Sequence, residues 1–175
     1  MNTDSLFKSR RSCRDYNGQQ IDAEAVEIIL KSALLAPSSM NRHTTRFVVV
    51  DDEMTLQKLS DAKERGSAFV RDAAMAVVVI DNPQDNDCWV EDASIAAFAM
   101  QCQAHDLGVG SCWVQIRGHY LPDGTKSEQV VRGILDLPDE DNVLCIIAFG
   151  IPAEPMEPHN EDELKWENVI ISSPI

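Results

Sequence analysis

Apolar residues recur along this chain in two rhythms, and the switching between them lays out its elements. From 22 to 35, Val26, Ile29, Leu30, Ala33 and Leu34 keep helical spacing, with Asp22 placed to cap the helix and Pro37 to stop it. Residues 47–50 form a short β-branched run after a polar turn and predict a strand. Leu56 and Leu59 mark a second amphipathic helix. The continuous apolar run 76–80, ended by Asp81-Asn82-Pro83, predicts a central strand covered on both faces. Residues 89–107 are alanine-rich and apolar on nearly every side, the pattern of a helix buried in the core or under a partner. Gly108 ends that helix, and 111–116 resumes as a strand. A helix over 127–135 and a buried strand over 142–149 follow, closed by Gly150-Ile151-Pro152. Residues 153–168 are polar and acidic before strand character returns at Val169-Ile170-Ile171. That last segment is too far along the chain for a local hairpin. It predicts a strand reaching a sheet edge on a second copy, and with the buried helix it predicts a homodimer.

Composition narrows the function. The formal net charge is −14, which opposes general binding to nucleic acid. No apolar run is long enough to span a bilayer, and Met1 to Ser5 lack the charged and apolar regions of a signal peptide. Five cysteines (13, 88, 102, 112 and 145) form no C-x-x-C pair, so free thiols in the cytoplasm are expected. The four histidines are scattered, and none stands at metal-ligand spacing from a cysteine, so no metal is expected.

Against this acidic background, three of the fifteen basic residues fall in Arg10-Arg11-Ser12-Cys13-Arg14. Guanidinium forks with a serine hydroxyl suit a phosphate or carboxylate; a solvated helix end would use the same residues. A second polar cluster, Pro37-Ser38-Ser39-Met40-Asn41-Arg42-His43, reads either as a set of donors and acceptors for a flat heteroaromatic or as a capping loop. There is no G-x-S-x-G elbow and no phosphate loop of the G-x-x-x-x-G-K-[ST] type. Gly108-Val109-Gly110-Ser111 follows a helix and precedes a strand, the reverse of a dinucleotide fingerprint. With 29 acidic residues, adjacent carboxylates such as Glu91-Asp92 are background.

Taken in order, Arg10 to Tyr16, Ala36-Pro37-Ser38-Ser39-Met40-Asn41, Leu107-Gly108-Val109-Gly110-Ser111-Cys112-Trp113, and Leu137-Pro138 with Gly150-Ile151-Pro152 resemble the FMN-dependent nitroreductase family. The resemblance spans roughly residues 6 to 171. It implies an α+β fold, with a mainly antiparallel central sheet flanked by helices, in an intertwined homodimer with C-terminal strand exchange. The whole chain, 1–175, would be one FMN-binding domain whose extension, 153–175, reaches the partner subunit. By the same resemblance Arg10, Ser12 and Arg11 hold the FMN phosphate, and Arg14 approaches the flavin ring and tunes it. Pro37, Ser38, Ser39, Asn41 and His43 come from the other subunit, and the backbone at Val114 and Gln115 lies beside flavin N5. NADH or NADPH is the implied reductant, and a nitroaromatic, quinone or similar small molecule the acceptor, in a ping-pong cycle that needs no protein nucleophile.

The chain departs from the family at one place. Where many relatives carry a Lys or Arg soon after G-x-P, it reads Ala153-Glu154-Pro155-Met156-Glu157-Pro158-His159, with no such cation before Lys165. Either His159 or Lys165 helps, or flavin affinity is lower. Alternative readings are a specialised member (a dehalogenase, an enoyl-type reductase or a flavin-cleaving enzyme) or a flavin-binding regulatory protein without turnover.

Overall fold

The computed structural model describes residues 2–172; Met1 and the last three residues of the 153–175 extension lie outside the described residues. Four strands, β1 (Arg46–Val50), β2 (Met75–Asp81), β3 (Gly110–Gln115) and β4 (Asn142–Gly150), form one sheet in the order β1-β2-β4-β3. Every neighbouring pair is antiparallel. The apolar runs occupy the two central strands because only there are both faces covered. Met75, Val77 and Val79 point to one side, Ala76, Val78 and Ile80 to the other, and all are buried.

Among the described residues there are five α-helices: α1 (Thr3–Ser9), which lies against α4, and α2 (Ala23–Leu34), α3 (Glu53–Ser60), α4 (Trp89–Asp106) and α5 (Ser127–Leu135), which cover the sheet. On one face, α2 and α4 bring Ile29, Ala33, Ala93, Ala97 and Met100 onto Val77, Ile147 and Phe149. On the other, Leu56 and Leu59 of α3 and Val131 of α5 pack on Val78, Val114 and Ile146. Asp22 caps α2 by accepting the Glu24 N–H at 2.8 Å, and Asp52 caps α3 by accepting that of Thr55 at 2.9 Å. The end of α4 is a Schellman motif: the Val109 N–H reaches the Ala104 carbonyl at 2.8 Å, the Gly108 N–H that of His105 at 3.0 Å, and Gly108 takes φ +75°.

The α4 helix is not enclosed on every side. Ala93, Ala96, Ala97, Met100 and Ala104 face the sheet, while Ile95 and Phe98 are exposed on the opposite face. Val169-Ile170-Ile171, expected as a strand, forms none in the single chain and is exposed, Ile170 to 91%. The physical reason is that a strand exists only by hydrogen-bonding to a neighbour, and this chain's own sheet lies elsewhere. Among the described residues no helix is long and apolar enough to cross a membrane.

Candidate functional site

The basic cluster follows α1 and runs across the end of the sheet. Arg10 is the C-cap residue of α1. From there the chain is extended and stitched down at several points. Ser12 bridges Ser111 in parallel, the Cys13 N–H donates to the Ser111 carbonyl at 2.9 Å, and Tyr16 pairs with Pro152. Cys13 and Tyr16 point inward and are buried, and the Tyr16 hydroxyl donates to the Cys13 carbonyl at 2.9 Å. Burial pushes the Cys13 and Cys112 thiols and the Tyr16 phenol up, so all three stay protonated. This close crossing explains two glycines: a Cβ on Gly150 would sit 2.6 Å from the Tyr16 ring, and one on Gly110 would sit 2.8 Å from Cys13 Sγ.

With those two residues turned in, Arg10, Ser12 and Arg14 turn out. They line a cleft of about 520 Å³ together with Arg11, Met156, Glu157 and His159. The Arg10 guanidinium lies 5.9 Å from the Phe98 ring centroid and that of Arg14 lies 5.8 Å from Phe69. Among the described residues neither pairs with a carboxylate, so both cations remain available to an anion. Arg11, on the same cleft wall, also reaches the tail. Its Nη1 donates to the Glu157 carbonyl at 2.7 Å, binding the tail, because the extended backbone sends that side chain toward residues 157–158.

The second cluster is elsewhere. Ser39–Asn41 forms a 3-10 turn, and Met40, Asn41 and His43 hold φ of 51°, 56° and 49°, left-handed values that non-glycine residues rarely take. The turn is held from below by Asp92 of α4, 6% exposed, whose two oxygens each lie 2.9 Å from the Ser39 N–H. Asn86 Nδ2 donates to the same carboxylate at 2.8 Å. Within the loop, the His43 N–H donates to Ser38 Oγ at 2.9 Å, and the His43 ring nitrogen Nε2 lies 2.9 Å from Asn41 Oδ1. Pro37, Ser38 and His43 line a small cleft of about 40 Å³ with Asp92 and Ala96.

Val114 and Gln115 stand on β3. The Val114 side chain is buried in the core, leaving only its backbone to contribute, and Gln115 Oε1 accepts from the Trp113 indole at 2.9 Å. The expected residues therefore fall into separate groups, the arginines lining one cleft and Pro37, Ser38 and His43 another. The helix α4 explains the separation. Its Asp92 carries the loop and its Phe98 carries Arg10, and six residues place them about 9 Å apart along the axis and about a third of a turn around it. Asn86 carries no signal in the sequence, and Met156 and Glu157 stand out there only as part of a stretch without Lys or Arg. Asp92 is one carboxylate among many until the fold buries it.

Residues 7–66 and 54–151 match the profile of the nitroreductase family. A solved structure described as an FMN-dependent nitroreductase from Clostridium difficile R20291 superposes with a TM-score of 0.95 at 39% identity, covering 98% of this chain and 99% of that one. An Archaeoglobus fulgidus protein described as an NADH dehydrogenase/NAD(P)H nitroreductase is 33% identical over 162 residues, 90% of either chain. One of the same description from Methanothermobacter thermautotrophicus is 30% identical over 151 residues, 85% of this chain and 76% of its own length.

Proposed function

The chain belongs to the nitroreductase family, and from that premise we propose that it is an FMN-dependent oxidoreductase carrying reducing equivalents from NADH or NADPH to a small-molecule acceptor. The observation that carries this reading is the cleft in which Arg10, Ser12 and Arg14 converge with both guanidiniums uncommitted to carboxylates. Those residues fit a phosphate monoester: planar forks that pair bidentately with its oxygens, and a hydroxyl beside them.

Bound FMN would supply the hydride chemistry, accepting from the nicotinamide and then passing electrons to a nitroaromatic, quinone or similar acceptor in a ping-pong cycle. The chain's own residues bind and orient. Arg10 and Ser12 hold the phosphate, and Arg14 places a fixed positive charge that favours an anionic reduced ring. Pro37, Ser38, Ser39, Asn41 and His43 present hydroxyl, amide and imidazole groups from a backbone held rigid by Asp92. Val114 and Gln115 contribute backbone on β3.

The working unit in this proposal is a cytoplasmic homodimer, each chain acting as one FMN-binding domain. Three features support the dimer. The two halves of the site lie on different flanks of α4. Ile95 and Phe98 of α4, with Leu34 and Leu35, expose apolar surface. Among the described residues the edge strand β1 has no neighbour on its outer side, and it borders a cleft of about 550 Å³ lined by Leu30, Leu34, Phe47, Val49 and Leu137. An apolar tail segment such as 169–171 from a second copy matches that edge. Five cysteines without a disulfide accord with a reducing compartment.

The test is an absorption spectrum of the purified protein after FMN addition and desalting, followed by NADPH oxidation with a quinone. Retained flavin bands and quinone-dependent oxidation support the proposal. Retained flavin without turnover would replace it with a binding protein, and no retained flavin would overturn it.

A further inference from the structure

The C-terminal tail supplies the last wall of the arginine cleft, and it is tied there from both sides. The His159 N–H donates to the Lys8 carbonyl at 2.8 Å, Arg11 Nη1 donates to the Glu157 carbonyl at 2.7 Å, and Lys8 Nζ pairs with Glu161 at 2.8 Å. Three contacts within five tail residues fix this crossing, and they bring His159 to the cleft that holds Arg10, Ser12 and Arg14. Lys165, the only other cation of the tail, stands beyond the 3-10 turn Glu161–Glu163 and does not line that cleft. Arg11 gives one donor to the tail and still lines the cleft, and His159 is the further basic side chain that the tail brings to the same wall.

Resting on the FMN reading above, we propose that His159, in its protonated form, binds the phosphate monoester of the cofactor and makes cofactor retention pH-dependent. A histidine titrates between about pH 5 and 8, unlike the arginines around it. A phosphate beside it favours the imidazolium, so the bound state holds that proton more tightly than the free state. Binding is then strongest at low pH and weakens as pH rises through the histidine's titration. The charged groups facing it are Lys8 from α1, Arg10, Arg11 and Arg14 from the extended segment, and Glu157 and Glu161 from the tail. Glu157 is the one carboxylate on the cleft wall and works against the anion.

Dissociation constants of FMN and of riboflavin, which lacks the phosphate, would be read by flavin fluorescence at about pH 6 and about pH 8.5. The proteins are wild type, His159→Asn, His159→Lys and Lys165→Ala. At the lower pH, His159→Asn binds FMN about tenfold more weakly than wild type, the loss of one charge-assisted contact, while His159→Lys matches wild type. At the higher pH, wild type falls to the level of His159→Asn and His159→Lys stays about tenfold tighter. The phosphate's own ionisation near pH 6 is common to all four proteins and cancels between them. Riboflavin affinity is unchanged throughout, which also shows that each variant keeps its fold, and Lys165→Ala behaves as wild type. His159→Asn equal to wild type at about pH 6, or Lys165→Ala showing the loss instead, overturns the proposal. A wild type that binds neither flavin would refute the FMN reading itself, a result distinct from normal FMN binding that ignores residue 159.

Discussion

Removing the Asp92 carboxylate should release the 37–43 loop without unfolding the sheet. In Asp92→Ala, the Ser39 N–H loses both acceptor oxygens at 2.9 Å, and Asn86 Nδ2 loses its acceptor at 2.8 Å while keeping Thr44 Oγ1 at 3.2 Å. Bonds to a charged acceptor are each worth about 1.5–3 kcal/mol, so the two donors together lose about 3–6 kcal/mol, reduced where water enters. Opposing them is the backbone strain at Met40, Asn41 and His43, at about 1–2 kcal/mol each for left-handed non-glycine residues. The restraint and the strain are therefore of similar size, and the variant's loop relaxes. Native-state hydrogen exchange should show the Ser39 amide losing protection while β2 and β4 keep theirs. Because the strain released offsets most of the bonding lost, the net destabilisation should be about 1 kcal/mol and the melting temperature should fall by only about 2–4 °C in a chain of this size. A Ser39 amide as protected as in wild type would refute the reasoning, since the loop would then be held by something other than Asp92.

Gly150→Ala should displace Tyr16, because the new methyl meets its ring at 2.6 Å; urea denaturation should show a loss of about 1–3 kcal/mol, and an unchanged midpoint would mean the crossing is looser than described. Arg10→Ala should weaken FMN binding about tenfold by titration, whereas Arg14→Ala should chiefly lower the bound flavin's reduction potential and slow its reduction by NADPH. Full retention and activity in both would leave the cluster as a solvated helix end. His105 has its pKa lowered, first by burial and then by the Arg10 charge, so the folded state prefers the neutral ring. The unfolded chain binds that proton more readily near pH 6.5, so the stability this residue contributes is complete above about 6.5 and is lost as pH falls through that window. Thermal melts of wild type and His105→Gln should run parallel above about pH 6.5 and converge or cross below it; parallel curves throughout would remove the coupling.

Elements with strong rhythm were legible from the residues. The run 76–80 could only be a doubly covered strand, and the helix over 89–107 ended at Gly108 because a left-handed cap is needed there. The helix α1 escaped notice because Thr3–Ser9 buries no residue and depends on the Asn2 cap and on α4 beneath it. The arginines could be picked out by charge contrast, yet the division of labour among them could not. The partner of Arg11 Nη1 is a backbone carbonyl 146 residues away, and a carbonyl has no sequence signature. Asp92 was hidden for a related reason, as its importance comes from Ser39, 53 residues earlier. The strand character of 169–171 was read from its β-branched residues, but the ladder that would complete it is not within one chain.

The position of α4 has a genetic consequence. If each site takes its arginines from one chain and its 37–43 loop from another, damage in two genes need not be additive. A chain altered at Arg10 and a chain altered at Asp92 would each form defective homodimers. Their heterodimer would hold one site with both lesions and one with none, so co-expression would restore up to half the sites of a wild-type dimer. Two alleles that each fail alone would then complement, and a single helix would be the reason.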